Sequence, residues 1–116
     1  MNDVVESLLL EILENQRKSE RFLHFLTHQI ARELINKNLT KPIELRVYDL
    51  SDGILSSRDI EKIIGKKVTQ RTVVTWWQKW KQLGLVEHSP RYSGRVRKLI
   101  PLEDLGIEIP AEEDDG

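Results

Sequence analysis

Residues 49–88 read DLSDGILSSRDIEKIIGKKVTQRTVVTWWQKWKQLGLVEH, and this stretch decides the fold. A serine pair precedes a short amphipathic segment that ends at Gly65, and Thr69 precedes a longer one that ends at Gly84. Serine and threonine are favoured as N-caps of helices, and glycine readily adopts the left-handed conformation that ends them. The stretch therefore predicts a short helix, a turn at residues 66–68 and a longer helix.

The longer helix, residues 69–84, has two chemically different faces. At 100° per residue, Val73, Trp77 and Trp80 fall on one side, with Trp76 on its flank, and we expect that side to face a hydrophobic core. The opposite side is mostly polar and consists of Arg71, Val74, Thr75, Gln78 and Gln82. Side chains of these types make the hydrogen bonds and methyl contacts that base edges in a DNA major groove require.

The segment before this pair of helices fits two kinds of element. Pro42 suits the first turn of a helix, and Ile43, Val47 and Leu50 follow it at helical spacing. Ile43, Leu45 and Val47 also alternate as in a strand, so periodicity alone leaves both interpretations open.

The segment after the helices predicts a β-hairpin. Residues 85–88 and 96–100 are short runs that contain apolar residues, and the turn-rich loop Ser89–Arg95 lies between them. The last residues of the chain are acidic and lack apolar anchors, so we expect a disordered tail at 110–116.

The N-terminal region predicts one long helix or two abutting helices, because residues 1–41 contain no Gly and no Pro. Its apolar residues recur in a 4-3 alternation, interrupted by the polar Gln16 and Ser19. An unbroken helix from Asp3 to Asn38 is ~50 Å long, so we expect its outer half to bind a second chain. The alternative is a break between Glu14 and Arg21 that folds the first half back. The expected dimer interface consists of Val5, Leu8, Leu9, Ile12, Leu23, Leu26 and Ile30.

Charge is strongly segregated along the chain, although the net charge is only −1. Residues 56–100 carry 11 basic and three acidic side chains, a net charge of +8, whereas residues 101–116 carry seven acidic and no basic ones. A segment this basic in an acidic protein is typical of a phosphate-binding surface. The simpler alternative is that its lysines only keep the surface solvated.

Composition excludes several classes of function. The chain has no cysteine, which excludes disulfides, thiol catalysis and thiolate zinc sites and favours the cytoplasm. Glu20, His24 and His28 form a stripe at helical spacing, but they are an incomplete set of metal ligands. No Gly-rich phosphate loop or catalytic triad is recognisable, and the N-terminal apolar run is too short to span a membrane. We therefore expect no enzyme activity, no metal, no cofactor, no small-molecule ligand and no membrane partner.

The order of these elements resembles the winged helix-turn-helix family of DNA-binding regulators. The resemblance covers about residues 43–100 and lies in Asp52-Gly53, Ile60, Ile64-Gly65, Thr72-Val73 and Leu83-Gly84-Leu85-Val86. It implies a mainly α fold with a small β-hairpin wing, and it favours a helix over a strand at residues 43–51. Small archaeal and viral regulators with an added N-terminal helix are similar. The expected organisation is an N-terminal helical dimerisation segment at 1–40, a winged helix-turn-helix domain at 41–109 and the acidic tail.

The resemblance also implies which residues contact DNA. The helix at 69–84 is expected in the major groove and the wing near 89–98 on the backbone or in the minor groove. Base contacts are expected from Gln70, Arg71, Val74, Thr75 and Gln78. Contacts to the backbone or the minor groove are expected from Arg58, Lys66, Lys67, Thr69, Thr72, Lys79, Arg91, Tyr92, Arg95, Arg97 and Lys98.

These observations predict a cytoplasmic, homodimeric transcriptional regulator that binds specific sequences of double-stranded DNA. Its site would be partly palindromic, with half-sites ~34 Å apart. The main alternative is a winged-helix protein interaction module in a transcription, replication or division assembly, because fold alone does not assign function. An initiator or architectural protein of a virus or plasmid is a third hypothesis.

Overall fold

The computed structural model describes residues 2–65 and 67–111 as a mainly helical chain with one short antiparallel hairpin. The elements are α1 (Asn2–Asn38), α2 (Pro42–Leu50), α3 (Ser57–Ile64), α4 (Gln70–Leu83), β1 (Val86–His88), β2 (Val96–Lys98) and a 3-10 helix (Leu102–Leu105). The chain divides into two compact units, one ending at Ile30 and the other starting at Ala31. The predicted mainly α class with a hairpin and a long N-terminal helix is confirmed.

Helix α1 is a single element of 37 residues, so the alternative of a break between residues 14 and 21 is wrong. Its last turns belong to the second unit, where Ala31 and Ile35 are buried together with Leu39. The expected domain boundary at residue 40 followed the end of the helix, whereas packing into the second unit begins at Ala31. The burial of one apolar residue per turn explains this difference, since it ties the end of α1 to the core.

Residues 42–50 form a helix, and the strand interpretation is wrong. Pro42 occupies the first turn, where its missing N–H needs no partner. The Glu44 carboxylate accepts a hydrogen bond from the Lys41 backbone N–H at 3.3 Å. Val47 and Tyr48 are completely buried, so the hydrophobic face of α2 is fixed by the core.

Helices α3 and α4 begin and end where their capping residues predict. The Ser56 hydroxyl accepts a hydrogen bond from Asp59 N–H, and the Asp59 carboxylate accepts one from Ser56 N–H. Hydrogen bonds from the Ser56 backbone and from the Ser56 side chain to the carboxyl group lower the pKa of Asp59 below its usual value. Gly65 and Gly84 end the two helices with φ angles of 82° and 79°, which residues with a Cβ rarely adopt.

The buried face of α4 forms the centre of the core of the second unit. Trp80 is fully buried, and its ring meets that of Tyr48 edge to face at 5.7 Å. Trp77 donates a hydrogen bond from Nε1 to the Ser51 hydroxyl at 2.9 Å, and that hydroxyl donates to the Val47 carbonyl at 2.8 Å. This chain of hydrogen bonds joins α4 to the end of α2 and satisfies two buried polar groups.

The hairpin has an additional neighbour that sequence reasoning did not predict. β1 and β2 pair antiparallel, with Glu87 opposite Arg97. The segment after α2 also pairs with β2, through a bridge between Asp52 and Arg97 and a hydrogen bond from Lys98 N–H to the Ser51 carbonyl at 2.9 Å. Gly53 has a φ of 84°, and a Cβ there would lie 3.3 Å from the Arg97 Cβ. A glycine is therefore required where this segment approaches β2.

The residues after the hairpin complete the core. Leu102 and Leu105 of the 3-10 helix are buried in the main cluster, which sequence reasoning did not foresee for this segment. The Tyr48 hydroxyl donates a hydrogen bond to the Ile100 carbonyl at 2.8 Å and so fixes the chain before that helix. Of the predicted disordered tail, residues 112–116 lie outside the described residues.

The buried Tyr48 predicts a loss of stability in alkaline solution. Burial raises the pKa of Tyr48 to about 12 from its ordinary value of 10.0, because the phenolate loses its hydration. The unfolded chain ionises at the lower pKa, so the contribution of the neutral phenol is complete below pH 10.0 and is lost as the pH rises towards about 12. We expect the free energy of unfolding to fall by ~1 kcal/mol per pH unit in that window. Urea unfolding at pH values from neutral to the upper end of that window measures it.

Tyr48→Phe removes this titration, so the free energy of unfolding should fall less between neutral and alkaline pH. At neutral pH the lost hydrogen bond should cost ~1 kcal/mol. Tyr92→Phe, in the exposed loop of the hairpin, is the matched control and should keep the wild-type dependence. If the free energy of unfolding of Tyr48→Phe falls as steeply with alkaline pH as that of the wild type, another group is responsible.

Candidate nucleic-acid interface

Helix α4 presents one face to solvent and buries the other. Val73, Trp77 and Trp80 are buried, which confirms the side that was expected to face the core. Arg71, Thr75, Gln78 and Gln82 are exposed, and Val74 is 36% exposed. The residues expected to read base edges are thus brought together on one accessible face, with the exception of Gln70, which is half-buried.

The polar groups on this face differ in whether they already have partners. The Thr75 hydroxyl donates a hydrogen bond to the Arg71 carbonyl at 3.0 Å, so its proton is used within the helix. Within residues 2–65 and 67–111, no hydrogen bond or ion pair engages the side chain of Arg71 or Gln78. Both side chains therefore keep all their donors for a partner molecule.

The N-terminal end of α4 is held by groups of the protein itself. The Gln70 backbone N–H donates to the Glu61 carboxylate at 2.6 Å, and the Thr72 N–H donates to the Thr69 hydroxyl at 3.2 Å. The hydroxyls of Thr69 and Thr72 are also 3.0 Å apart and share a hydrogen bond. Sequence reasoning missed Glu61, because its role depends on how α3 lies against α4. A phosphate at this end must therefore be bound mainly by side chains.

Exposed cations lie at both ends of α4 and on the hairpin loop. Arg58 is exposed, and its Nε donates to the Gln70 side-chain oxygen at 3.3 Å, which places a positive charge beside the first residue of α4. Lys67, Lys79 and Arg91 are also exposed. Lys66, which was predicted to contact the DNA backbone, lies outside the described residues.

The remaining hairpin cations have partners within the protein. Arg97 forms an ion pair with Glu87, its cross-strand neighbour, and Lys98 lies 3.7 Å from the Asp49 carboxylate. Lys98 also donates to the Asp49 carbonyl. The opposite charges of Glu87 and Arg97 in paired strands are a signal that the sequence contains. The pairing of Lys98 with Asp49 has no such signal, because 49 residues separate them.

The loop of the hairpin is stabilised by contacts of its own. Arg95 is half-buried and donates a hydrogen bond to the Ile54 carbonyl, and its guanidinium lies 4.7 Å from the centre of the Tyr92 ring. Tyr92 itself is exposed. Stacking of this kind restrains both side chains, so the loop presents them in a defined arrangement.

Trp76 has a structural contact that explains its position on the flank of α4. It is half-buried, and its ring stacks on that of Trp80 with centroids 6.1 Å apart and an angle of 27° between the planes. The ring is thus part of the aromatic packing of the second unit and is not an open platform for bases.

The N-terminal unit exposes every side chain that was predicted to form a dimer interface. Val5, Leu8, Leu9, Ile12, Leu23, Leu26 and Ile30 are between 36% and 61% exposed in the single chain. The rings of His24 and His28 lie 4.0 Å apart, and His28 Nδ1 is 2.9 Å from the His24 carbonyl. Among the described residues, no group of three or more His, Cys, Asp or Glu side chains is arranged to bind a metal ion.

Comparisons with known proteins give no match: no protein-family model, no curated protein and no solved structure matches the chain. In the part of the chain that the structure describes, no helix has both the length and the apolar character needed to cross a membrane.

Proposed function

We propose that this protein is a sequence-specific, double-stranded DNA-binding protein of the winged helix-turn-helix type. The observation that carries the proposal is the exposed face of α4, on which Arg71, Thr75 and Gln78 lie together in a segment of net charge +8. The opposite face of α4 is anchored by Trp77 and Trp80, so the exposed face is held rigidly. A rigid polar helix framed by cations is the arrangement that reads DNA in many regulators.

In this proposal α4 lies in the major groove. Its 14 residues give it a length of ~21 Å, and a groove ~12 Å wide accepts a helix. Arg71 makes a bidentate contact to guanine and Gln78 one to adenine, because each has donors that no group among the described residues uses. Val74 and the Thr75 methyl contact thymine methyl groups.

Phosphates are bound by the exposed cations around α4. The proposed contacts include the exposed Arg58, Lys67, Lys79 and Arg91. Arg97 and Lys98 contribute less than Lys79 and Arg91, because a phosphate has to compete with Glu87 and Asp49 for them. The stacking of Arg95 on Tyr92 supports a contact of the hairpin tip with the backbone or the adjacent minor groove.

The same proposal makes the protein a homodimeric, cytoplasmic transcriptional regulator. The apolar stripe on residues 4–30 of α1 supports association, because a stripe of this extent rarely faces water. The absence of cysteine fits a reducing compartment.

Selection of bound duplexes from a random pool tests the proposal directly. The protein is incubated with the pool at physiological salt, bound duplexes are amplified over several rounds, and the enriched sequences are aligned. We expect a defined motif in which a guanine and an adenine lie about three base pairs apart, because Arg71 and Gln78 are ~10 Å apart along α4. Enrichment of no motif, together with tight binding to a protein partner, would instead support the interaction-module alternative.

Substituting single residues on α4 separates base reading from phosphate binding. Arg71→Ala should reduce discrimination against one changed base pair of the selected motif by ~1–3 kcal/mol, because the bidentate contact is lost. Lys79→Ala, a matched removal of one exposed cation from the same helix, should weaken binding to the motif and to scrambled DNA by similar factors. Fluorescence anisotropy on both duplexes measures each affinity. Equal losses on both duplexes for Arg71→Ala would contradict the placement of α4 in the groove.

A further inference from the structure

The exposed stripe of α1 is an interrupted heptad pattern. Its seam consists of Val5, Leu9, Ile12, Gln16, Ser19, Leu23, Leu26 and Ile30, and all of them are exposed in the single chain. The polar pair Gln16 and Ser19 lies at the centre, with three apolar positions on each side. The seam therefore has the same length of apolar surface on both sides of a polar middle.

The charge of α1 changes sign near the same polar pair, Gln16 and Ser19. Residues 3–14 carry four acidic and no basic side chains, whereas residues 17–37 carry five basic and two acidic ones. Two copies packed in parallel would place the acidic halves together and the basic halves together. An antiparallel pair places each acidic half beside a basic half and also opposes the two helix dipoles favourably.

We propose that the occupant of this stripe is a second copy of the chain, with the two α1 helices antiparallel and centred between Arg17 and Lys18. The inference rests on the dimer of the proposed function and adds its orientation and register. The layers then pair Val5 with Ile30, Leu9 with Leu26, Ile12 with Leu23 and Gln16 with Ser19 of the second copy.

The central polar layer fixes this register. In it, the Gln16 amide faces the Ser19 hydroxyl of the second copy, and the two groups can form a hydrogen bond. A slip by one heptad places Gln16 against a leucine or an isoleucine and leaves its amide without a partner between apolar side chains. The polar layer therefore favours one antiparallel register among those that the apolar residues alone permit.

Larger side chains beside the seam follow the same symmetry. Leu13 and Phe22 flank the seam, and Leu13 comes to the level of Phe22 of the second copy on the opposite flank, which widens the apolar layers on both sides of the centre. The parallel arrangement would instead bring Leu8 beside Leu13 of the second copy. The experiment must therefore distinguish the antiparallel pair from the parallel pair.

Cross-linking of single-cysteine variants tests the orientation, because the natural chain has no cysteine. Leu9→Cys and Leu26→Cys proteins of different mass are prepared separately, mixed in equal amounts without DNA, and oxidised. In the antiparallel pair position 9 meets position 26, whereas two copies of position 9 are ~26 Å apart along the helices. We expect the mixed disulfide to exceed both homodisulfides by at least about tenfold.

The control uses Ser7→Cys and His28→Cys, which lie at matched levels on the outer face of the same helices. Their mixture should give no enriched disulfide. Disulfides of Leu9→Cys with itself and of Leu26→Cys with itself would overturn the orientation but leave the dimer intact. A single-chain mass for the wild-type protein by light scattering would overturn the dimer as well. Neither result depends on DNA binding, which the selection experiment tests separately.

Discussion

Raising the salt concentration from about 50 to about 200 mM is expected to weaken binding to duplex DNA by about 10³-fold, if one domain neutralises about six phosphates. Neutralised phosphates release condensed counterions, so affinity falls steeply with added salt. The cations that produce the effect are the exposed ones around α4, namely Arg58, Lys67, Lys79 and Arg91, with Arg71 and the hairpin tip. Anisotropy titrations of one duplex at several salt concentrations give the slope.

Removal of single cations shows which ones contribute to that slope. Arg91→Ala should reduce the slope of log affinity against log salt by ~0.9, because an exposed cation is lost. Lys98→Ala is the matched control from the hairpin and should change it less, because Lys98 is paired with Asp49. A salt-independent affinity would contradict the proposed phosphate contacts, and equal effects of the two variants would contradict the different roles that the ion pairs suggest.

Trp80→Ala is expected to lower the free energy of unfolding by ~3–5 kcal/mol, the usual cost of removing a large aromatic side chain from a core. Trp80 is completely buried, packs edge to face on Tyr48 and stacks on Trp76. A loss of this size is a large fraction of the stability of a small domain. Urea denaturation followed by far-UV circular dichroism measures it.

Two further variants define the origin of that loss. Among the described residues, the Trp80 Nε1 atom is buried without a hydrogen-bond acceptor, so Trp80→Phe removes an unsatisfied donor and should cost less than Trp80→Ala. Trp76→Ala removes the half-buried ring that stacks on Trp80 and should cost roughly 1–2 kcal/mol. If Trp76→Ala lowers the free energy of unfolding as much as Trp80→Ala does, the Trp76 ring contributes more to the stability of the core than its partial burial indicates.

Local signals in the sequence predicted most of the helices. Thr69 caps α4, and Gly65 and Gly84 end α3 and α4, because capping acts within one turn of the backbone. The two faces of α4 followed from helical periodicity, and the structure buries the predicted side. At residues 42–50 periodicity was ambiguous, and burial of Val47 and Tyr48 on one side settles the segment as a helix.

Contacts between distant segments were beyond the reach of these signals. Three features depend on how the elements pack: the pairing of the Asp52 segment with β2, the contact of the Glu61 carboxylate with the start of α4, and the burial of Leu102. None of these residues is distinctive by type or spacing, so the sequence contains no local pattern from which to infer them.

The sequence by itself therefore determined the set of elements and the two faces of α4. Caps, glycines and apolar spacing act over only a few residues. Only the tertiary structure decided which cations have partners within the protein and which do not. Lys98 and Asp49 are separated by 49 residues and meet because β2 passes the end of α2. Arg71 keeps its donors because its side chain is exposed and no group among the described residues engages it. Charge along the chain is fixed by composition, whereas the accessibility of each charge depends on what folds beside it.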